Sequence, residues 1–171
     1  MIHNVYIEFG VGDNFRYVKR YALKNYYTIV IDKVDWDAYD KAYNENKHFV
    51  DKRIIGDWNN DYNIPKADKW SCVSCFEHIT EDMIDKSIEG IIKKIKKESI
   101  GNIWIDLTDH NGGFKHYRPE GYKKNFINTI KADKWKLIFS KYFTFDYEKI
   151  YLANNNEYPR AVEFNNVILK K

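Results

Sequence analysis

"VYIEFGVGDN", residues 5–14, carries an apolar strand-like run into two glycines separated by one residue, and then into a polar, turn-prone pair. Behind it, Asn14 to Lys24 has apolar residues at Phe15, Val18, Tyr21 and Ala22, a helical spacing. The order strand, glycine turn, helix makes a site for an anionic group, because glycine admits a ligand to the backbone and helix-start N–H groups point at it. Gly10 and Gly12 supply the turn. A dinucleotide fingerprint wants a third glycine near residue 15, and Val11-Gly12-Asp13-Asn14-Phe15 has none. A tight structural turn is therefore the competing reading.

The same alternation runs along most of the chain, which predicts an α/β fold with a parallel sheet and helices on its faces. Tyr27 to Ile31 reads as a second strand ending in Asp32, Trp36 to Tyr43 as a helix, and a short third strand stops at Gly56-Asp57. Lys69 to Val73 is a fourth strand. Thr80 is placed as an N-cap with Glu81 and Asp82 complementing the helix dipole. Ile84, Ile88, Ile91, Ile92 and Ile95 then line one helical face, and Lys93, Lys94, Lys96 and Lys97 read as its solvated end. Gly101 is expected to end this helix before a fifth strand, Ile103 to Leu107. Trp135, Leu137, Ile138, Tyr142 and Phe143 suggest a last helix. Tyr147 to Leu152 and Ala161 to Leu169 are strands joined by "ANNNEYPR", too short for a crossover helix and hence antiparallel.

At 171 residues, 44% apolar and 17% aromatic, the chain fits one domain, residues 1–171, with a sizeable core. A formal net charge of +3 gives no excess of the kind that by itself implies a nucleic-acid partner. No apolar run approaches the ~20 residues that span a bilayer, and the start is not signal-like. A soluble, cytoplasmic protein is expected, with no membrane partner.

Three strands are expected to end in acids on one rim. Glu8 precedes the glycine turn, Asp32 ends the second strand and Asp57 the third; in a doubly wound sheet these lie beside the ligand-binding crevice. Asp32 is placed to accept hydrogen bonds from a ribose diol, with Asp35 as its rival. Asp57 can accept from an exocyclic amine such as adenine N6, and Trp58 can lie against the purine. Taken singly, each is equally a solvated strand end or surface turn.

On these residues the chain resembles the class I S-adenosylmethionine-dependent methyltransferases of the bacterial small-molecule type. "EFGVGDN" is similar to the family's acid-x-Gly-x-Gly-x-Gly turn at Glu8, Gly10 and Gly12, with Asn14 where a glycine is usual; asparagine takes left-handed backbone more readily than most residues. Asp32 and Gly56-Asp57 match the next two acidic positions. "ADKWSCVSCFEHIT" is similar to the fourth strand and the Leu-Glu-His-Ile stretch after it, with Phe76 in place of leucine. "IWIDLTDHNGGFKHY" resembles a fifth strand followed by Asp-Leu-Ser/Thr-Asp-His. The resemblance spans nearly the whole chain. It implies a Rossmann-like, doubly wound, mostly parallel seven-stranded sheet with an antiparallel C-terminal strand. It also implies S-adenosyl-L-methionine as cofactor, held by Glu8, Gly10, Gly12, Asn14, Asp32, Asp57, Trp58 and Ser74. The first strand begins almost at Met1, where relatives carry a helical segment over the active site, so a protein partner or a homo-oligomer is a candidate cover.

Cys72, Cys75 and His78 form C-x-x-C-x-x-H, a metal-ligand spacing, but no second ligand pair appears and no metal is expected. His78 reads as a helix-start residue holding the loop. His110 and His116 flank the glycines after the fifth strand. In this architecture that loop faces the transferred methyl, so His110 is the candidate general base and Asp109 its orienting group, against a purely loop-organising role. Phe114, Tyr117 and Tyr122 could wall the acceptor. The expected activity is transfer of a methyl group to a hydroxyl, or an amine, of a small molecule such as a sugar. The alternative is a catalytically silent S-adenosylmethionine-binding protein or one subunit of a methyltransferase complex. DNA-base methylation is disfavoured, since no Asn/Asp-Pro-Pro-aromatic stretch follows the fourth strand.

Overall fold

The computed structural model describes residues 4–12, 14–32, 37–107, 130–152 and 159–170. Among the described residues eight strands form the sheet: β1 Val5–Phe9, β2 Tyr27–Asp32, β3 Lys52–Ile55, β4 Ala67–Val73, β5 Ile95–Asp106, β6 Phe143–Thr144, β7 Tyr147–Leu152 and β8 Pro159–Leu169. Their order is β3-β2-β1-β4-β5-β8-β6, with β7 also on β8. β1 to β5 run parallel, and β8 is antiparallel to β5, β6 and β7. The α/β, mostly parallel architecture with an antiparallel C-terminal end agrees with the expectation. The eighth strand is β6, whose Phe143 the aromatic periodicity assigns to the last helix.

Period-two alternation sorts the strands between two helical layers. Tyr6 and Val30 point to one side, where they pack with Val11, Phe15 and Val18 beside and on helix α1, Arg16–Ala22. Ile7, Phe9, Ile29, Ile31 and Cys72 point to the other. There they meet Ile84, Ile88 and Ile91 of α3, Glu81–Lys94, and Trp135 and Phe139 of α4, Ala132–Ser140. Helix α2 is Asp37–Asn46. Because the chain steps from β1 to β2 and β3 and then returns to the other side of β1 as β4, the order reverses between β1 and β4. In sheets of this kind that reversal opens a crevice at the strand carboxyl ends.

Two expectations are corrected around α3. Thr80 is its N-cap residue as read, but makes no side-chain capping hydrogen bond, and the helix ends at Lys94 instead of running toward Gly101. Ile95 is already extended and pairs with Ala67, so Lys96 and Lys97 belong to β5. Gly101 is a strand glycine: a Cβ there would lie 2.0 Å from Cε2 of Trp70, whose indole crosses the position. Gly101 thus makes room for a ring and does not stop a helix.

Candidate functional site

At the end of β1 the chain turns through Gly10 and Gly12, both left-handed at φ 68° and 52°. The Gly10 N–H donates to Ile31 at 2.8 Å, extending the β1–β2 ladder, and the Gly12 N–H donates to Oδ2 of Asp32 at 2.8 Å. The acid ending β2 therefore pins the glycine turn of β1. On the opposite side Cys75 closes the turn: its single S–H lies within reach of the Gly10 carbonyl at 3.0 Å and of the Val73 carbonyl at 3.1 Å. A Cβ on Gly10 would sit 2.1 Å from this sulfur. Backbone angle and neighbour both require glycine there.

Asn14 stands two positions ahead of α1. Its Oδ1 accepts the Arg16 N–H at 3.2 Å, so it works as a local cap just ahead of α1. Ser74 is left-handed, at φ 52°, and its N–H donates to the Trp104 carbonyl at 2.9 Å, carrying the β4–β5 ladder one step past Val73.

Glu8 lies beneath the turn, 1% exposed. Its carboxylate takes the hydroxyl of Tyr6, which also contacts the hydroxyl of Ser71 on the neighbouring strand. Burial pushes the Glu8 carboxyl up to about 7, opposed by those hydrogen bonds. The native state then holds a proton that the unfolded chain has released, so this contribution to stability is complete below about pH 4.5 and lost as pH rises through about 7. Glu8→Gln keeps a group able to meet both hydroxyls and never ionises. It is expected to flatten this part of the pH dependence, with a gain of about 1–2 kcal/mol at the alkaline end. Thermal unfolding midpoints across a buffer series check it, and a slope equal to that of the wild type would contradict it.

Asp57 follows β3. Its Oδ1 accepts the Asn59 N–H at 2.9 Å, and its carbonyl accepts the Tyr62 hydroxyl at 2.8 Å. Trp58 is half-buried, its ring stacked on Phe9 at 5.8 Å and tilted against Phe76 at 5.6 Å. Lys94, read as part of a solvated cluster, is 5% exposed and bound to carbonyls of this loop.

The site thus gathers Gly10, Gly12, Asp32, Ser74 and Asp57 along the carboxyl edge of β1 to β4, with Glu8 below it. Asp35, Asp109, His110, Phe114, His116, Tyr117 and Tyr122 lie outside the described residues. His78 sits in a separate single turn, Phe76–His78, ahead of α3, and is exposed. Among the described residues no three His, Cys, Asp or Glu side chains gather to hold a metal. The sequence motifs assign no role to Tyr6 or Ser71, and Cys75 enters them only within the C-x-x-C-x-x-H spacing. Tyr6 and Glu8 do carry a signal, being two apart on a strand and so on one face.

Glu77 is a further buried carboxyl, 1% exposed, where β4 and β5 end side by side. Burial pushes it up to about 8, the Asp106 carboxylate adds to the shift, and hydrogen bonds from its own N–H and that of Asp106 oppose it.

No protein-family model and no curated protein matches the sequence. Solved structures match in fold. The 1,6-didemethyltoxoflavin-N1-methyltransferase of Burkholderia thailandensis, crystallised with bound 1,6-didemethyltoxoflavin and S-adenosylhomocysteine, superposes with a TM-score of 0.67 at 11% identity, over 95% of this chain and 70% of that one. An S-adenosylmethionine-dependent methyltransferase of Clostridium acetobutylicum gives 0.67 at 11% identity, over 100% and 86%. The N-methyltransferase NodS of Bradyrhizobium japonicum, with S-adenosylhomocysteine, gives 0.66 at 12% identity, over 95% and 78%. The chain has the Rossmann-like fold of these methyltransferases.

Proposed function

We propose that the protein is an S-adenosylmethionine-dependent methyltransferase acting on a hydroxyl or amine of a small molecule. The observation that carries this reading is the glycine turn of β1 hydrogen-bonded to Asp32, beside Asp57 on the next strand end, at the point where the strand order reverses. The turn would take the methionine end of the cofactor, with Glu8 beneath it near the cofactor's amino group. Asp32 would accept from the ribose; a carboxylate accepts several hydrogen bonds at once, so holding Gly12 is compatible with that. Asp57 would accept from the adenine amine, with Trp58 beside the base. Asn14 and Ser74 would shape the two loops that flank it.

The cofactor supplies a methyl group already activated by the positive sulfonium. The residues of this chain bind and orient, and a base is needed only where the nucleophile carries a proton. His110, with Asp109 beside it in sequence, is the candidate for that proton. Amine acceptors stand alongside hydroxyls because two of the fold relatives are named N-methyltransferases.

Calorimetry and thermal shift with S-adenosylmethionine and S-adenosylhomocysteine test the cofactor: binding should release or absorb heat and raise the unfolding midpoint. No heat and no stabilisation at millimolar ligand would sink the assignment. Methyl transfer to a panel of hydroxylated and amine metabolites tests the activity. Binding without transfer by the isolated chain would favour a silent binder or a subunit awaiting its partner.

A further inference from the structure

The loop that bears Asp57 is gripped from behind by the end of α3. Lys94, the last residue of that helix, donates from Nζ to the carbonyls of Trp58 at 2.5 Å, Asn60 at 2.9 Å and Gly90 at 3.3 Å. Two of the three acceptors belong to the loop. The ring of Tyr62, whose hydroxyl holds the Asp57 carbonyl, lies 5.4 Å from the ammonium. One turn back along the helix, a Cβ on Gly90 would stand 2.7 Å from Oδ1 of Asn59 and 2.9 Å from the Trp58 carbonyl oxygen. Helix and loop therefore meet backbone to backbone at this point.

A lysine at a helix end ordinarily reaches into water, where its charge is best solvated. Taking the ammonium out of water is costly unless its donors are satisfied. Here the three carbonyls match the three donors of a compact, rotatable –NH3+. Burial lowers the Lys94 pKa, while Asp61 and Asp57 pull it back up. A buried charge spent on carbonyls of one loop fixes that loop's height against the sheet, and Asp57 rides on it.

We propose that Lys94 is a positioning residue for base recognition: by holding the Trp58 and Asn60 carbonyls it sets Asp57 where a purine's 6-amino group can donate to it, so that a 6-oxo purine is rejected. The inference rests on Asp57 being the acceptor for the adenine amine. A 6-oxo group presents an acceptor to the carboxylate in place of a donor, so the loss is both a missing hydrogen bond and a repulsion.

The test is the ratio of affinities for S-adenosylhomocysteine and S-inosylhomocysteine, measured by calorimetry. The wild type should favour the adenosyl compound by about tenfold or more, the worth of one charge-assisted hydrogen bond. Lys94→Met should lose about tenfold in adenosyl affinity and little in inosyl affinity, bringing the ratio near one. Lys94→Arg should retain part of the preference. Gly90→Ala displaces the loop from the helix side with the ammonium intact, should depress the same ratio, and serves if Lys94→Met does not fold. A merely stabilising lysine would lower both affinities together, and an unchanged ratio in Lys94→Met or Gly90→Ala overturns the proposal. A wild-type ratio near one removes the Asp57 reading and the proposal with it. Preference lost in Asp57→Asn but kept in Lys94→Met defeats the Lys94 role alone.

Discussion

Turnover is expected to fall about a hundredfold or more in His110→Ala, with affinity for S-adenosylhomocysteine nearly intact. The reasoning is positional. His110 follows the strand that ends at Asp106, and loops leaving that edge of a doubly wound sheet face the reacting group. A histidine there can take the proton of an acceptor hydroxyl as the carbon–oxygen bond forms, which affects the transition state and not cofactor binding. Wild-type activity should rise with pH through the histidine's titration, and the variant should lack that limb. Loss of cofactor binding together with thermal stability would instead make His110 a loop organiser. Full activity in the variant would mean that the acceptor arrives already nucleophilic, as a free amine does, and would turn the assignment from oxygen to nitrogen.

Asp32→Ala should weaken S-adenosylhomocysteine binding by about 1–3 kcal/mol, roughly five- to 150-fold. One carboxylate serves two partners in this reading. It would hold the ribose, and it already accepts the Gly12 N–H at 2.8 Å, so alanine removes a ligand contact and the pin of the turn together. Asp32→Asn separates the two effects: the amide oxygen can still accept from Gly12, while the charge is gone. An intermediate loss in Asn and a full loss in Ala is the expected pattern in calorimetry. Unchanged affinity in both would move the ribose role to Asp35.

Periodicity and punctuation made most of the framework legible. The run into Gly10 and Gly12, the acids at Asp32 and Asp57 and the antiparallel close of Tyr147–Leu152 on β8 are all local patterns, and local patterns survive in a sequence. What could not be read depends on contacts between distant positions. Gly101 looked like a helix stop because its reason is the indole of Trp70, 31 positions earlier and across a strand pair. Lys94 looked solvated because the carbonyls it holds belong to residues 58 and 60. Cys75 looked like half of a metal motif because the turn it braces is Gly10. Glu8 was legible as an acid at a strand end, whereas its burial with Tyr6 and Ser71 follows from which face of β1 the helix α1 covers.

The place of β8 in the sheet has a consequence for a chain emerging from the ribosome. β1 to β4 can pair with one another, and β5 with β4, as soon as each has been synthesised. The outer edge of β5 must wait, because its partner β8 is the last of the described strands to be made, and among the described residues β6 and β7 pair with the sheet through β8. During that interval a nascent chain presents the Gly101–Asp106 stretch of β5 with one unpaired edge, the feature most open to wrong pairing with a neighbouring chain. Lys96, Lys97 and Glu98 lie at the start of β5, ahead of the Gly101–Asp106 stretch that β8 pairs, so this waiting edge is flanked by charge that discourages wrong pairing.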